Sequence, residues 1–207
     1  MSHFFIVAGE ASGDRLGALL AQALINQGHE VSGWGGDQMR TIGVHIYQDI
    51  ADLKIMGWSD VLNKLPTLLR LLAKCKKDII TCGPDRLILI DFGSFNLRIA
   101  QWAASQDGLS VTYYSPPKVW ASRTSRIKKI KNYCKQIIVL FPFEQEYYHS
   151  HGIDVQYFGH PLVEVISSFT PDDAWRDRYL LDHRPILTIL PGSRRSEVRH
   201  TLPIYLS

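Results

Sequence analysis

Cysteine is scarce in this sequence, and it comes in an odd number. Cys75, Cys82 and Cys134 are the only three in 207 residues, and their spacing matches no metal-ligand pattern. A disulfide framework and a zinc site are therefore not expected, and reduced thiols in a cytosolic protein are. Long apolar runs are missing as well. No uncharged stretch approaches the roughly 20 residues that span a bilayer. The first apolar run, Phe4 to Ala8, is too short for a signal peptide, and acids follow it. The net charge of +3 is too small to argue for nucleic acid, and no nucleic-acid partner is expected. There is no low-complexity segment and no internal repeat. The histidines show no metal spacing, so neither a metal nor another cofactor is expected.

What is present is a repeated rhythm of strand, turn and helix. The chain is 45% hydrophobic and 21% charged, enough to bury a sizeable core. Phe4 to Ala8 reads as a buried strand. Leu16, Leu19, Leu20, Ala23 and Leu24 follow at helical spacing, and Gly28 ends that helix. Val31 to Trp34 is a short strand. A helix is expected from about Ser59 to Thr81, bent at Pro66. "RLILID", Arg86 to Asp91, is the clearest buried strand. Helix, strand and a basic helix from about Arg123 to Lys135 come next. "QIIVLF", a helix from Glu144 to His151, "VQYFG" and "PILTIL" complete the pattern. Such alternation predicts an α/β fold, a Rossmann-like doubly wound parallel sheet.

In such sheets the ligand lies beyond the carboxyl ends of the strands. "AGEASGD" sits at one such end, and its Gly9, Glu10, Ser12, Gly13 and Asp14 become candidate site residues. It is neither a P-loop nor a dinucleotide fingerprint. Ser12 or Asp14 could simply cap the next helix, but capping does not need a carboxylate at Glu10. Asp91 ends the most apolar strand. It is either a helix cap or a catalytic base, and Ser94 is better placed as the cap. Ser115 stands at a further strand end. In "LPGSRRSEV", Gly192, Ser193 and Arg194 combine a turn, a helix start and a cation, which suits a phosphate or merely a solvated turn. His160 in "FGHPL" is as well explained by turn stabilisation as by function.

From Lys118 to Lys135 there are seven basic residues and no acid. Val61, Leu62, Leu65, Leu68, Leu69 and Leu72 recur at helical spacing. Core packing and a solvated basic face explain these features singly. Together they suit an anionic membrane surface or acyl chains.

Eight stretches taken together resemble the lipid-A-disaccharide synthase family: "VAGEASGD", "GWGGDQM", "KIMGWSDVL", "LIDFGSFN", "SPPKVWAS", "LFPFEQEYY", "FGHPL" and "LPGSRRSEV". They occur in the family's order and cover nearly the whole chain. The resemblance implies an inverting glycosyltransferase of two Rossmann-like domains, the GT-B fold. Such enzymes join UDP-2,3-diacylglucosamine to 2,3-diacylglucosamine 1-phosphate and release UDP. It implies a peripheral protein on the cytoplasmic face of the inner membrane. Asp91 falls on the family's catalytic-base position, with Glu10 binding acceptor hydroxyls or supporting it. Asn96, Ser115 and Arg123 join the substrate-binding residues, and Arg194 falls on the arginine of "LPGSR". A homodimer is left open. The chain departs from the family at Gly93-Ser94, where Pro-Asp is usual, and at Ser122, where tryptophan is usual.

A polar, proline-containing stretch suggests a domain boundary near residue 184. Residues 1–183 would form the acceptor-binding domain, and 184–207 would begin a UDP-sugar-binding domain. One strand and one helix cannot bury a core, so the second domain is expected to be incomplete and this length of chain inactive alone. The rival readings are a non-catalytic or vestigial lipid-binding fragment and a UDP-sugar epimerase of GT-B build.

Overall fold

Runs such as Phe4–Ala8 and Leu87–Ile90 are buried on both faces, which is the signature of parallel strands covered by helices on either side. The computed structural model describes residues 1–54, 65–121, 125–192 and 195–206. It divides into two compact units, Met1–Ser167 and Ser168–Ser207.

In the first unit the strands are β1 (His3–Ala8), β2 (Glu30–Gly35), β3 (His45–Asp49), β4 (Arg86–Ile90), β5 (Ser110–Tyr114), β6 (Gln136–Val139) and β7 (Gln156–Tyr157). They form one seven-stranded sheet in the order β3-β2-β1-β4-β5-β6-β7, and every pairing is parallel. The helices are α1 (Ala11–Asn26), α2 (Asp37–Thr41), α3 (Ile50–Lys54), α4 (Leu65–Cys82), α5 (Gly93–Ala103), α6 (Arg126–Tyr133), α7 (Pro142–Ser150) and α8 (Pro161–Ser167).

Alternation along the strands splits the core in two. Ile6, Ala8, Ile88 and Ile90 face α1 and α2. Phe5, Val7, Leu87 and Leu89 face the layer to which α4 and α5 contribute Leu72, Ile79, Phe95 and Ile99. Close approach requires glycine on α1. A Cβ at Gly17 would lie 2.7 Å from Met39 Sδ, and one at Gly13 3.3 Å from Ala8 Cβ. The second layer is tied to the sheet by a polar clasp. Trp34 Nε1 donates to Asp78 Oδ2 at 2.9 Å, and Lys74 Nζ donates to the same oxygen at 2.7 Å.

The leucine stripe divides on α4. Leu65 and Leu69 are 52% and 55% exposed, Leu68 is half-buried against the core, and Leu72 is 7% exposed. Leu72 is therefore core and not a membrane contact. It shares a helix face with Cys75 and Ile79, which the sheet covers. Val61 and Leu62 lie outside the described residues.

The second unit contains α9 (Trp175–Arg178) and α10 (Arg195–Tyr205). "PILTIL", expected to be a strand, runs through residues 185–190 without strand pairing, and Leu187 and Leu190 are exposed. A strand gains its stability from a ladder partner, and no described segment of this unit forms one. The division after Ser167 falls ahead of residue 184.

Candidate active site

The strand order reverses between β1 and β4. From β1 the chain steps outward through β2 and β3, then returns to β4 and steps the other way to β7. Helix α1 leaves β1 on one face of the sheet, and α5 leaves β4 on the other. In open α/β sheets the ligand crevice lies where such loops part. Ala8 pairs with Ile90, so Gly9–Glu10 and Asp91–Phe92 begin level with each other at this point.

The backbone at this point is strained. Asp91 has φ 47° and Phe92 φ 49°, and Ser115, at the end of the neighbouring β5, has φ 56°. Left-handed backbone is tolerated by aspartate and costly for phenylalanine. Such positions cost about 1–3 kcal/mol each and persist where the surroundings over-determine them. Here the surroundings are specific. The Asp91 carbonyl accepts a hydrogen bond from Tyr113 OH at 2.9 Å and another from Asn96 Nδ2 at 3.0 Å. Phe92 O accepts from the N–H groups of Phe95 and Asn96 at 3.1 and 3.0 Å. The Phe92 ring lies over Gly9, where a Cβ would stand 2.3 Å from Phe92 Cγ. Glycine at this position makes room for that ring.

Several expected site residues turn out to serve the frame. Asp14 is 3% exposed. Its carboxylate accepts from Gly36 N at 2.7 Å, Gln38 N at 3.1 Å and Met39 N at 3.2 Å. It caps α2, not its own helix, so its oxygens are engaged by backbone rather than offered to a ligand. Gly9 and Gly13 are buried, one under Phe92 and the other against β1. Asn96 is fully buried, and its amide donates to carbonyls of β1 and β4. Substrate contact through its side chain is excluded. Ser94 does not cap α5. Phe92 occupies the N-cap position without a side-chain hydrogen bond, and Ser94 Oγ accepts from Arg126 Nη2 at 2.7 Å.

Glu10 is half-buried at the N-cap of α1 with extended backbone, and its side chain makes no capping hydrogen bond. Ser12 is exposed on the first turn. These two, with Asp91 and Ser115, are the expected residues that stand at the open carboxyl edge. His160 Nδ1 accepts from Leu162 N at 3.1 Å, which is the turn-stabilising role. Gly192 belongs to the second unit and has φ 116°. Arg123, Ser193 and Arg194 lie outside the described residues.

Arg126 was not singled out in the sequence, because it is one of many basic residues in its segment. Its placement over the start of α5 depends on a fold contact between α5 and α6. Gly93 is confined by the segment that precedes α6. A Cβ there would lie 2.9 Å from Pro117 Cγ, so Pro117 fills the space that a larger residue would need. Beside Tyr114 a groove of about 670 Å³ opens, lined by Leu19, Leu20, Ile138, Phe158 and Val163 among others.

Cysteine chemistry has no place in the site. Burial pushes the Cys134 thiol up to about 12 and raises Cys75 and Cys82 as well, which suppresses the reactive thiolate. Among the described residues no cluster of His, Cys, Asp or Glu could hold a metal ion.

A family model for lipid-A-disaccharide synthetase matches residues 4–207. The chain belongs to that family. Its relatives include the lipid-A-disaccharide synthase of Syntrophus aciditrophicus, 38% identical over 97% of this chain and 53% of the relative. The enzyme of Koribacter versatilis is 39% identical over 98% of this chain and 54% of the relative. Lipid-A-disaccharide synthase 1 of Legionella pneumophila is 36% identical over 100% and 54%. The chain thus spans about half the length of the lipid-A-disaccharide synthases it matches. Among solved structures, a putative UDP-N-acetylglucosamine 2-epimerase from Listeria monocytogenes superposes with TM-score 0.62 at 10% identity, over 84% of this chain and 50% of that one. The UDP-GlcNAc 2-epimerase of Neisseria meningitidis gives 0.58 at 10%, over 80% and 48%. At that identity the likeness speaks for the Rossmann-like fold alone.

Proposed function

We propose that this chain is the acceptor-binding half of a lipid-A-disaccharide synthase. The observation that carries the proposal is Asp91, a carboxylate held at the sheet's switch point in a member of this family. A sugar hydroxyl is a poor nucleophile because it holds its proton tightly. Asp91 would take that proton as the hydroxyl oxygen of diacylglucosamine 1-phosphate bonds to the anomeric carbon of UDP-diacylglucosamine. The bond from that carbon to the diphosphate breaks in the same displacement, and UDP leaves with the electron pair. Glu10, Ser12 and Ser115 stand at the same edge and would bind acceptor hydroxyls. Arg123 is proposed as a further substrate contact, and Gly192, Ser193 and Arg194 as contacts to the leaving diphosphate.

The groove beside Tyr114 and the exposed Leu65 and Leu69 offer apolar surface for acyl chains. With the exposed lysines of α6 they suit a peripheral association with the anionic cytoplasmic face of the inner membrane. No helix among the described residues is long and apolar enough to cross a membrane.

The test is transfer between the two diacylglucosamine substrates by a two-domain form of the enzyme that contains this chain. Asp91→Asn should lower turnover about 10²–10⁴-fold, the usual loss for a general base, while the fold stays intact. Turnover within about threefold of wild type would remove Asp91 from the base role. Residues 1–207 alone are expected to bind the acceptor and not transfer, because holding both substrates together supplies several kcal/mol of the barrier. Disaccharide formation by that length of chain would refute the need for a second domain.

A further inference from the structure

We infer that Tyr113 and Asn96 are positioning residues for Asp91, holding its backbone, and so its carboxylate, in the left-handed setting at the carboxyl edge of the sheet. This rests on the reading of Asp91 as the base. Neither side chain reaches the crevice, since both are fully buried. Each instead donates to the Asp91 carbonyl, Tyr113 OH at 2.9 Å and Asn96 Nδ2 at 3.0 Å.

The two peptide groups around the strained pair are pinned from several directions. Asp91 N donates to Tyr114 O at 3.3 Å, and Phe92 O accepts from two N–H groups of α5. The Asn96 amide also lies 3.1 Å from Ile90 O and 3.3 Å from Val7 O. It therefore joins the ends of β1 and β4 to the turn between β4 and α5. Its own oxygen, Oδ1, is buried without a hydrogen-bond partner. An apolar side chain of similar volume would leave no such orphan. What the amide contributes here is its donors. Tyr113 is equally suited to its task. Burial raises its phenol well above the ordinary range, so it remains an O–H donor at any pH at which the enzyme works.

Without these donors the pair can relax to negative φ. That rotation would swing the Asp91 carboxylate and lift the Phe92 ring from Gly9. Displacement of a reacting group by about 1 Å is enough to lower a rate about 10²-fold. The Phe92 ring is a built-in reporter, because its current shields the Gly9 α protons while it lies over them.

The experiment compares Tyr113→Phe, Asn96→Ala and Asp91→Asn in the same two-domain form, by transfer kinetics, thermal unfolding and the Gly9 NMR resonance. Tyr113→Phe should lower kcat about 10- to 100-fold with KM within about twofold, and the Gly9 shielding should diminish. Asn96→Ala should do the same or more. Asp91→Asn should lose activity with the Gly9 resonance in place. Full kcat in Tyr113→Phe, or a lower kcat with unchanged Gly9 shielding, would overturn the inference. If Asn96→Ala fails to fold, Tyr113→Phe decides, since it removes one oxygen and keeps the ring. If Asp91→Asn stays active, the base reading falls, while the Gly9 resonance still reports whether Tyr113 and Asn96 hold the turn.

Discussion

Gly9→Ala should destabilise the protein through its contact with Phe92, and a double-mutant cycle can test it. The new methyl would fall 2.3–2.6 Å from three atoms of the Phe92 ring, far inside contact distance. The ring cannot yield freely, since Phe92 is held in left-handed backbone and packs against Phe95 with ring centroids 4.8 Å apart. Overpacking of this kind costs about 1–3 kcal/mol, and for a unit of this size each kcal/mol lowers Tm by about 2–4 °C. Phe92→Ala removes a half-buried ring, so its own cost should be below the roughly 3–5 kcal/mol seen for fully buried phenylalanine. In that background the three atoms nearest to the methyl are gone, and its cost should fall by at least about 1 kcal/mol. The assay is urea unfolding of the four proteins, with midpoints compared at constant slope. Costs that add to within about 0.5 kcal/mol would show no coupling and would refute the close contact between Gly9 and Phe92.

Asp14→Ala should destabilise by about 1–3 kcal/mol, because three backbone donors at the start of α2 lose their acceptor; urea unfolding measures it, and a loss below about 0.5 kcal/mol would refute the capping role. Leu72→Ala should cost about 2–5 kcal/mol, whereas Leu65→Ser with Leu69→Ser should leave the Tm nearly unchanged and reduce co-sedimentation with anionic vesicles. Unfolding by the exposed pair would mean that they are core. Cys134, with its thiol raised to about 12 in the folded state against an ordinary 9.0, should react with a thiol reagent at pH 8 about 10³-fold more slowly than a free thiol. The sign for stability follows from the same shift. Above pH 9 the unfolded chain loses this proton while the folded one keeps it to about 12, so the contribution of Cys134 to stability falls as pH rises through that window. A Cys134→Ala variant with the same alkaline stability slope would count against it.

The parallel sheet was legible because its strands are buried on both sides and therefore read as unbroken apolar runs, "RLILI" above all. Asp91 stood out for the same reason, as a carboxylate ending such a run. What could not be read were partners distant in sequence. Nothing local to Asp14 announces that its carboxylate caps Gly36 and Met39, more than twenty residues away. Asn96 looks like a polar residue at the start of a helix, and only the packing of α5 on the sheet turns it inward. Ser94 has the right chemistry for a cap, but α5 begins earlier, with Phe92 in the capping position. "PILTIL" has strand propensity and no ladder partner among the described residues of its own unit. Propensity yields there to the absence of a neighbour.

The strand reversal that opens the crevice also sets how this chain must fold. Most neighbouring strands in the sheet are close in sequence, but β1 and β4 are not. Phe4 pairs with Arg86, a closure over on the order of 80 residues, and such non-local pairing is what slows folding. On a ribosome adding about 5–20 residues per second, β1 would wait on the order of 4–16 s for its central partner to be made. During that interval the edge of β1 that β4 will occupy presents unpaired N–H and C=O groups, of the kind that recruits other chains. The central pair of the sheet is thus completed late, and the loops that carry Gly9 and Asp91 can meet only after it has closed.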